Sequence, residues 1–91
     1  MNYGFIITKD CLENEDIEVL GPSNITDDVV NRLRNGEGDK FRIYDGDKEL
    51  YYTGRSIHNQ GEEMFYPLDC YAEPNAGCVA IAYASDNYKI L

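Results

Sequence analysis

The alternation of apolar and polar residues is clearest between Phe41 and Arg55, in the stretch FRIYDGDKELYYTGR. Phe41 and Ile43 alternate with Arg42 and Tyr44. Beyond the polar break Asp45-Gly46-Asp47-Lys48, Leu50 and Tyr52 alternate with Glu49 and Tyr51. A period of two on both sides of a Gly-containing break predicts a β-hairpin with one buried face. A loop from Asp45 to Lys48 sets Ile43 opposite Leu50 and Phe41 opposite Tyr52. A two-residue Asp45-Gly46 turn is the rival, since Asp-Gly suits a type I′ turn. It places Lys48 opposite Ile43 and is the less favourable register. The second strand is expected to run on to Ile57, with Gly54 marking a bulge or a close contact.

The flanking segments read in the same way. Tyr3, Phe5 and Ile7 share one face of a first strand and Ile6 takes the other, which predicts a strand covered on both sides. Ile17, Val19 and Leu20 allow a brief extended segment. A helix is expected over about residues 27–35. Thr26 caps it, and Asp27 and Asp28 sit at its positive end with Arg32 and Arg34 at its negative end. Ile25 and Val30 are placed to staple its first turn, Gly36 stops it, and Val29, Val30 and Leu33 form its buried stripe. Asn59-Gln60-Gly61-Glu62 reads as a turn and Met64-Phe65-Tyr66 as a short strand. Pro67 to Gly77, with two prolines, reads as a long irregular connection. Cys78 to Tyr83 is a strand with Val79, Ile81 and Tyr83 on one face and small residues on the other, where the helix can approach closely. Tyr88 to Leu91 closes the sheet. The fold expected is α+β: one domain over residues 1–91, a small, mainly antiparallel sheet with one short helix packed on it.

Charge narrows the function classes. The net charge is −9, with 17 acidic and 8 basic residues. That balance opposes direct nucleic-acid binding by phosphate neutralisation and binding to anionic membranes. Most cations (Arg32, Arg34, Lys40, Arg42, Lys48 and Arg55) lie mid-chain, whereas the N-terminal third is strongly acidic. A soluble, self-repelling surface accounts for this distribution, as does an acidic patch that meets a basic partner. The three cysteines, Cys11, Cys70 and Cys78, form no CxxC pair. With no signal-peptide pattern and no long apolar run, they are expected to be free thiols of a cytoplasmic protein.

Candidate chemistry is sparse. Asp45, Asp47 and Glu49 resemble the opening of a calcium loop, but the positions that require Gly and Glu hold Leu50 and Ser56. His58 is the only histidine. Paired with Cys70 or Cys78 it offers a nucleophile in principle, and the alternative reading of a small enzyme or ligand binder rests on it. Gly36-Glu37-Gly38 follows a helix, the reverse of a phosphate cradle. No catalytic residue, metal site or cofactor is assigned. Tyr44 and Tyr51 fall on the outward face of the hairpin in the preferred register. Exposed Tyr and Arg are common in binding hot spots.

The segments GFIITKD, FRIYDGDKELYYTGR and PLDCYAEPNAGCVAIAY resemble a family of short acidic proteins of bacteria, their phages and other mobile elements that has no settled activity. The resemblance implies an accessory or anti-defence factor. The function expected is a non-enzymatic module that inhibits or modulates a larger, nucleic-acid-handling protein, of anti-CRISPR or anti-restriction type. Its carboxylates would occupy a basic groove in place of nucleic acid. Glu13, Glu15, Asp16, Glu18, Asp27 and Asp28 are the candidate interface, with Tyr44 and Tyr51 as anchors. Self-assembly, for example as a homodimer through a sheet edge near Tyr88 to Leu91, is the alternative.

Overall fold

In the computed structural model, which describes residues 2–59 and 61–91, the alternating segments become five strands. They are β1 (Gly4–Asp10), β2 (Glu15–Gly21), β3 (Asp39–Tyr44), β4 (Leu50–Ile57) and β5 (Ala80–Tyr83). The sheet order is β2-β1-β4-β3-β5, and all neighbours are antiparallel. With the helix α1 (Asp27–Arg34) against it, this is the α+β fold expected. Gln60, in the expected turn after Asn59, lies outside the described residues.

β1 is covered on both sides, as its apolar pattern requires. Phe5 and Ile7 join Phe41, Ile43, Tyr52, Ile81 and Tyr83 in the larger core, while Ile6 faces Val29 and Leu33 of α1. The helix forms where its capping residues predict. The Thr26 hydroxyl accepts from the Val29 N–H at 3.4 Å. At the other end the Gly36 N–H donates to the Leu33 carbonyl and the Glu37 N–H to that of Arg32, each at 3.1 Å. Gly36 has φ +93°, which only glycine adopts without penalty, and it lets the chain leave the helix there. Val30 is half-buried, so Val29 and Leu33 alone form the fully buried stripe.

The hairpin register differs from the expected one. Ile43 pairs with Tyr52, Phe41 with Gly54 and Tyr44 with Leu50, which leaves Tyr51 as an extra residue between the two pairings. This β-bulge sends Tyr51 toward the larger core with Tyr52 instead of outward beside Tyr44. Its cause is local. Asp45 Oδ1 accepts from the N–H groups of Asp47 and Glu49, both at 2.9 Å, and holds the loop in a side-chain-closed turn. The same bonds engage the carboxylate that began the calcium-like pattern.

Two further expectations are corrected. Met64-Phe65-Tyr66 is not a strand, because Glu62–Phe65 forms a 3-10 turn. Pro67 to Gly77 is not irregular: a π-helical turn (Leu68–Ala72) runs into a short α-helix, α2 (Glu73–Ala76). Pro67 precedes the first of these and Pro74 lies in the first turn of the second, positions where the missing N–H costs little. The segment carries Leu68 and Ala72 onto the sheet and roofs the larger core. Cys78 is fully buried, but Val79 is 62% exposed instead of sharing the buried face of Ile81 and Tyr83, because the strand begins only at Ala80. α1 packs on β1 and β4, not on the small face of β5. Tyr88 to Leu91 adds one bridge, Ile90 to Ala82, instead of a strand. Among the described residues no helix is long and apolar enough to cross a membrane.

Candidate functional site

The acidic candidates separate into groups. Asp10 closes the β1–β2 turn by accepting from the N–H groups of Leu12 and Glu13, both at 3.1 Å. That turn presents exposed Glu13, Glu15 and Asp16 around Leu12, a residue 48% exposed at the tip. Lys9 lies opposite Asp16 across the hairpin. Asp27 and Asp28 are exposed at the other end of β2, where α1 begins, about 20 Å away at the rise of a strand. Glu18 is engaged. It accepts from Arg34 Nη2 at 2.5 Å and Nε at 3.2 Å, and these bonds hold its carboxyl below the usual range. The pair ties the end of α1 to β2.

Tyr44 is half-buried on the Arg42 face of β3. Tyr51 is half-buried on the opposite face, and burial together with the Asp45 and Glu49 carboxylates raises its hydroxyl pKa. The two do not form one anchor.

His58 and Cys78 are also apart. The His58 ring packs against Tyr83 with centroids 4.7 Å apart and planes tilted by 58°, and its Nδ1 lies 2.9 Å from the Ser56 hydroxyl. Ser56 is buried and donates to the Gly4 carbonyl at 3.4 Å, a structural use of the hydroxyl. Burial lowers the His58 pKa. Cys78 enters β5 at the end opposite Tyr83. Burial, then the Asp45 charge, pushes its thiol up to about 11, away from a reactive thiolate. Burial also raises the exposed Cys70 thiol, beside Asp69. Among the described residues no His, Cys, Asp and Glu side chains converge into a metal-binding group.

The Cys78 thiol predicts an alkaline transition. Its folded pKa exceeds the unfolded value of about 8.5, so its contribution is complete below that pH and is lost as pH rises toward 11. Denaturant titrations should show falling stability across this window, with a shallower fall in Cys78→Ala. The decline that persists above pH 10 then belongs to the tyrosines whose hydroxyls burial raises, chiefly Tyr52, pushed to about 12, and Tyr83.

One concave feature was not anticipated. α1 covers only part of its face of the sheet, and beside it opens a groove of about 270 Å³, lined by Thr8, Lys40, Arg42, Thr53, Arg55 and Tyr88. Lys40 and Arg42 stand two apart on β3, as do Thr53 and Arg55 on β4. The register sets Lys40 opposite Arg55 and Arg42 opposite Thr53. Arg55 Nη2 donates to the Leu33 carbonyl at 2.5 Å and Nε to that of Glu37 at 3.3 Å, at the negative end of α1. Arg42 Cζ sits 3.6 Å over the Tyr88 ring. The signal was in the sequence, as Lys40 and Arg42 alternating on the first hairpin strand and Arg55 on the second, but the expected register sets Arg42 opposite Tyr51 and hides the cluster.

Comparison of the chain with models of protein families, with curated proteins and with solved structures finds no match.

Proposed function

We propose that this chain is a non-enzymatic, cytoplasmic protein-binding module that docks by its β1–β2 turn onto a basic surface of a larger, nucleic-acid-handling protein and inhibits or modulates it. An anti-CRISPR or anti-restriction role is the first to test. The observation that supports this reading is the tip itself: an exposed Leu12 set among the exposed carboxylates of Glu13, Glu15 and Asp16. An apolar anchor inside a charged rim combines desolvation at the centre with steering at the edge. Asp27 and Asp28, at the far end of β2, lie outside this contact.

The test is retention of a stoichiometric partner from nuclease-treated host lysate, washed over a salt series. The wild-type complex should elute as salt rises. Glu13→Lys with Glu15→Lys should abolish retention, Leu12→Ala should weaken it about tenfold or more, and Asp27→Lys with Asp28→Lys should leave it intact. Retention that ignores the hairpin changes sinks this reading.

A second reading, self-association through the β5 edge, is favoured by exposed Val79, Ile90 and Leu91 along that edge. Sedimentation over a wide concentration range distinguishes the two, since a monomer throughout removes it.

A further inference from the structure

The groove beside α1 runs against the electrostatics of the chain. The protein carries a net charge of −9, yet the groove gathers Lys40, Arg42 and Arg55 with no carboxylate in its lining. Like charges placed directly opposite on neighbouring strands, as Lys40 and Arg55 are, destabilise a sheet. The fold relieves this only in part, by turning Arg55 onto the carbonyls of Leu33 and Glu37. Lys40 and Arg42 are exposed and form no ion pair among the described residues. Nearby carboxylates are occupied elsewhere. Glu37 binds Arg32 at 2.6 Å, and Asp39 accepts from the Ser85 hydroxyl and N–H.

A separate observation concerns the wall. Asn87 and Tyr88 have φ +55° and +57°, left-handed values in two successive non-glycine residues. For a bulky residue such as Tyr88 this conformation is an outlier held by its surroundings, and such strain collects at ligand-binding sites. Here it is held by the Tyr88 N–H, which donates to the Tyr83 carbonyl at 2.8 Å, and by the Ile90 bridge. It brings the Tyr88 ring against the Arg42 guanidinium and so helps to hold that group at the groove.

We infer that this groove binds a single phosphate group, free or as the monoester of a small molecule. A carboxylate is satisfied by one guanidinium fork, whereas a tetrahedral dianion takes donors from several sides. The groove offers that arrangement: Lys40 and Arg42 on β3, the Thr53 hydroxyl and the remaining guanidinium N–H groups of Arg55 on β4, and on β1 the Thr8 hydroxyl, which would turn to the anion from the Thr53 carbonyl to which it donates at 3.4 Å. A cavity of about 270 Å³ admits a phosphate with a small organic residue. A polynucleotide would instead be repelled by the acidic surface around it. This site is independent of the β1–β2 turn, and its failure would leave the protein-binding proposal untouched.

The test is an NMR titration of the intact protein with inorganic phosphate, adenosine monophosphate and succinate at matched ionic strength. Inorganic phosphate should give saturable shifts at the amides of Thr8, Lys40 to Arg42 and Thr53 to Arg55. Lys40→Ala and Arg42→Ala should each weaken it about tenfold or more. Both side chains are exposed, so each variant should stay folded: the midpoint of Lys40→Ala at or above wild type once its opposition to Arg55 is removed, and that of Arg42→Ala lower by only a few degrees through loss of the Tyr88 contact. Arg42→Lys should recover only part of the loss. Tighter binding of the nucleotide identifies a monoester as the source, and equal binding identifies free phosphate. Non-saturable shifts, shifts that survive in Arg42→Ala, or succinate bound as tightly as phosphate would overturn the assignment.

Discussion

Gly54→Ala should lower the thermal midpoint by roughly 10–20 °C, the effect of about 3 kcal/mol on a chain of this length. A Cβ at this position would press into the Ile6 carbonyl oxygen and lie 2.7 Å from Phe41 Cζ and 3.0 Å from the Ile6 carbonyl carbon. The first and last of these obstacles are backbone, part of the β1–β4 ladder itself, so relief requires the strands to separate. Phe41, paired with Gly54 across the hairpin, fills the space that the missing side chain leaves. Gly46→Ala is the control. It lies in the hairpin loop with nothing within 4 Å of its would-be Cβ, and its effect should stay within about 0.5 kcal/mol. Calorimetry of the two variants reads the difference, and matching midpoints would mean that β1 and β3 do not close on β4 as described.

Tyr83→Ala should cost about 3–5 kcal/mol, a large share of the total stability of a small domain. Tyr83 is fully buried. Its ring meets Phe41 edge-on at 5.9 Å and His58 at 4.7 Å, and its hydroxyl donates to the Met64 carbonyl at 2.8 Å. One side chain thus joins β5 to β3, to the end of β4 and to the 3-10 turn that begins the helical roof. Tyr83→Phe keeps the ring and removes the hydroxyl's bonds to the Met64 carbonyl and the Ser56 hydroxyl, so its cost should be about 1–2 kcal/mol. Denaturant titration of both variants separates packing from hydrogen bonding. Equal losses would place the contribution in the hydroxyl and refute the packing account.

Several elements were legible in local patterns. The Thr26 cap, the charges at either end of α1 and the Gly36 stop act through neighbouring residues on the chain, and the helix formed where they predict. Alternation identified β1, β3, β4 and most of β5 for the same reason, since side-chain direction in a strand follows from sequence parity. The helical roof was missed because Pro67 and Pro74 signal a break only when their places within the turns are unknown. The candidate interface fared unevenly. Glu13, Glu15 and Asp16 stay together because one turn carries them, whereas Asp27 and Asp28 are adjacent in composition and distant in space.

By itself, then, the sequence determined the α+β class, the capped helix and the strands, all of which depend on interactions within a few residues. It also determined the net charge, and with it the argument against phosphate neutralisation over the whole surface. Only the tertiary structure decided the hairpin register, the direction of Tyr51, the partner of Glu18 and the existence of the basic groove. Each of these depends on which strand faces which, and a shift of two positions in one ladder, set by the Asp45 turn and the Tyr51 bulge, determines whether Lys40, Arg42 and Arg55 line one groove.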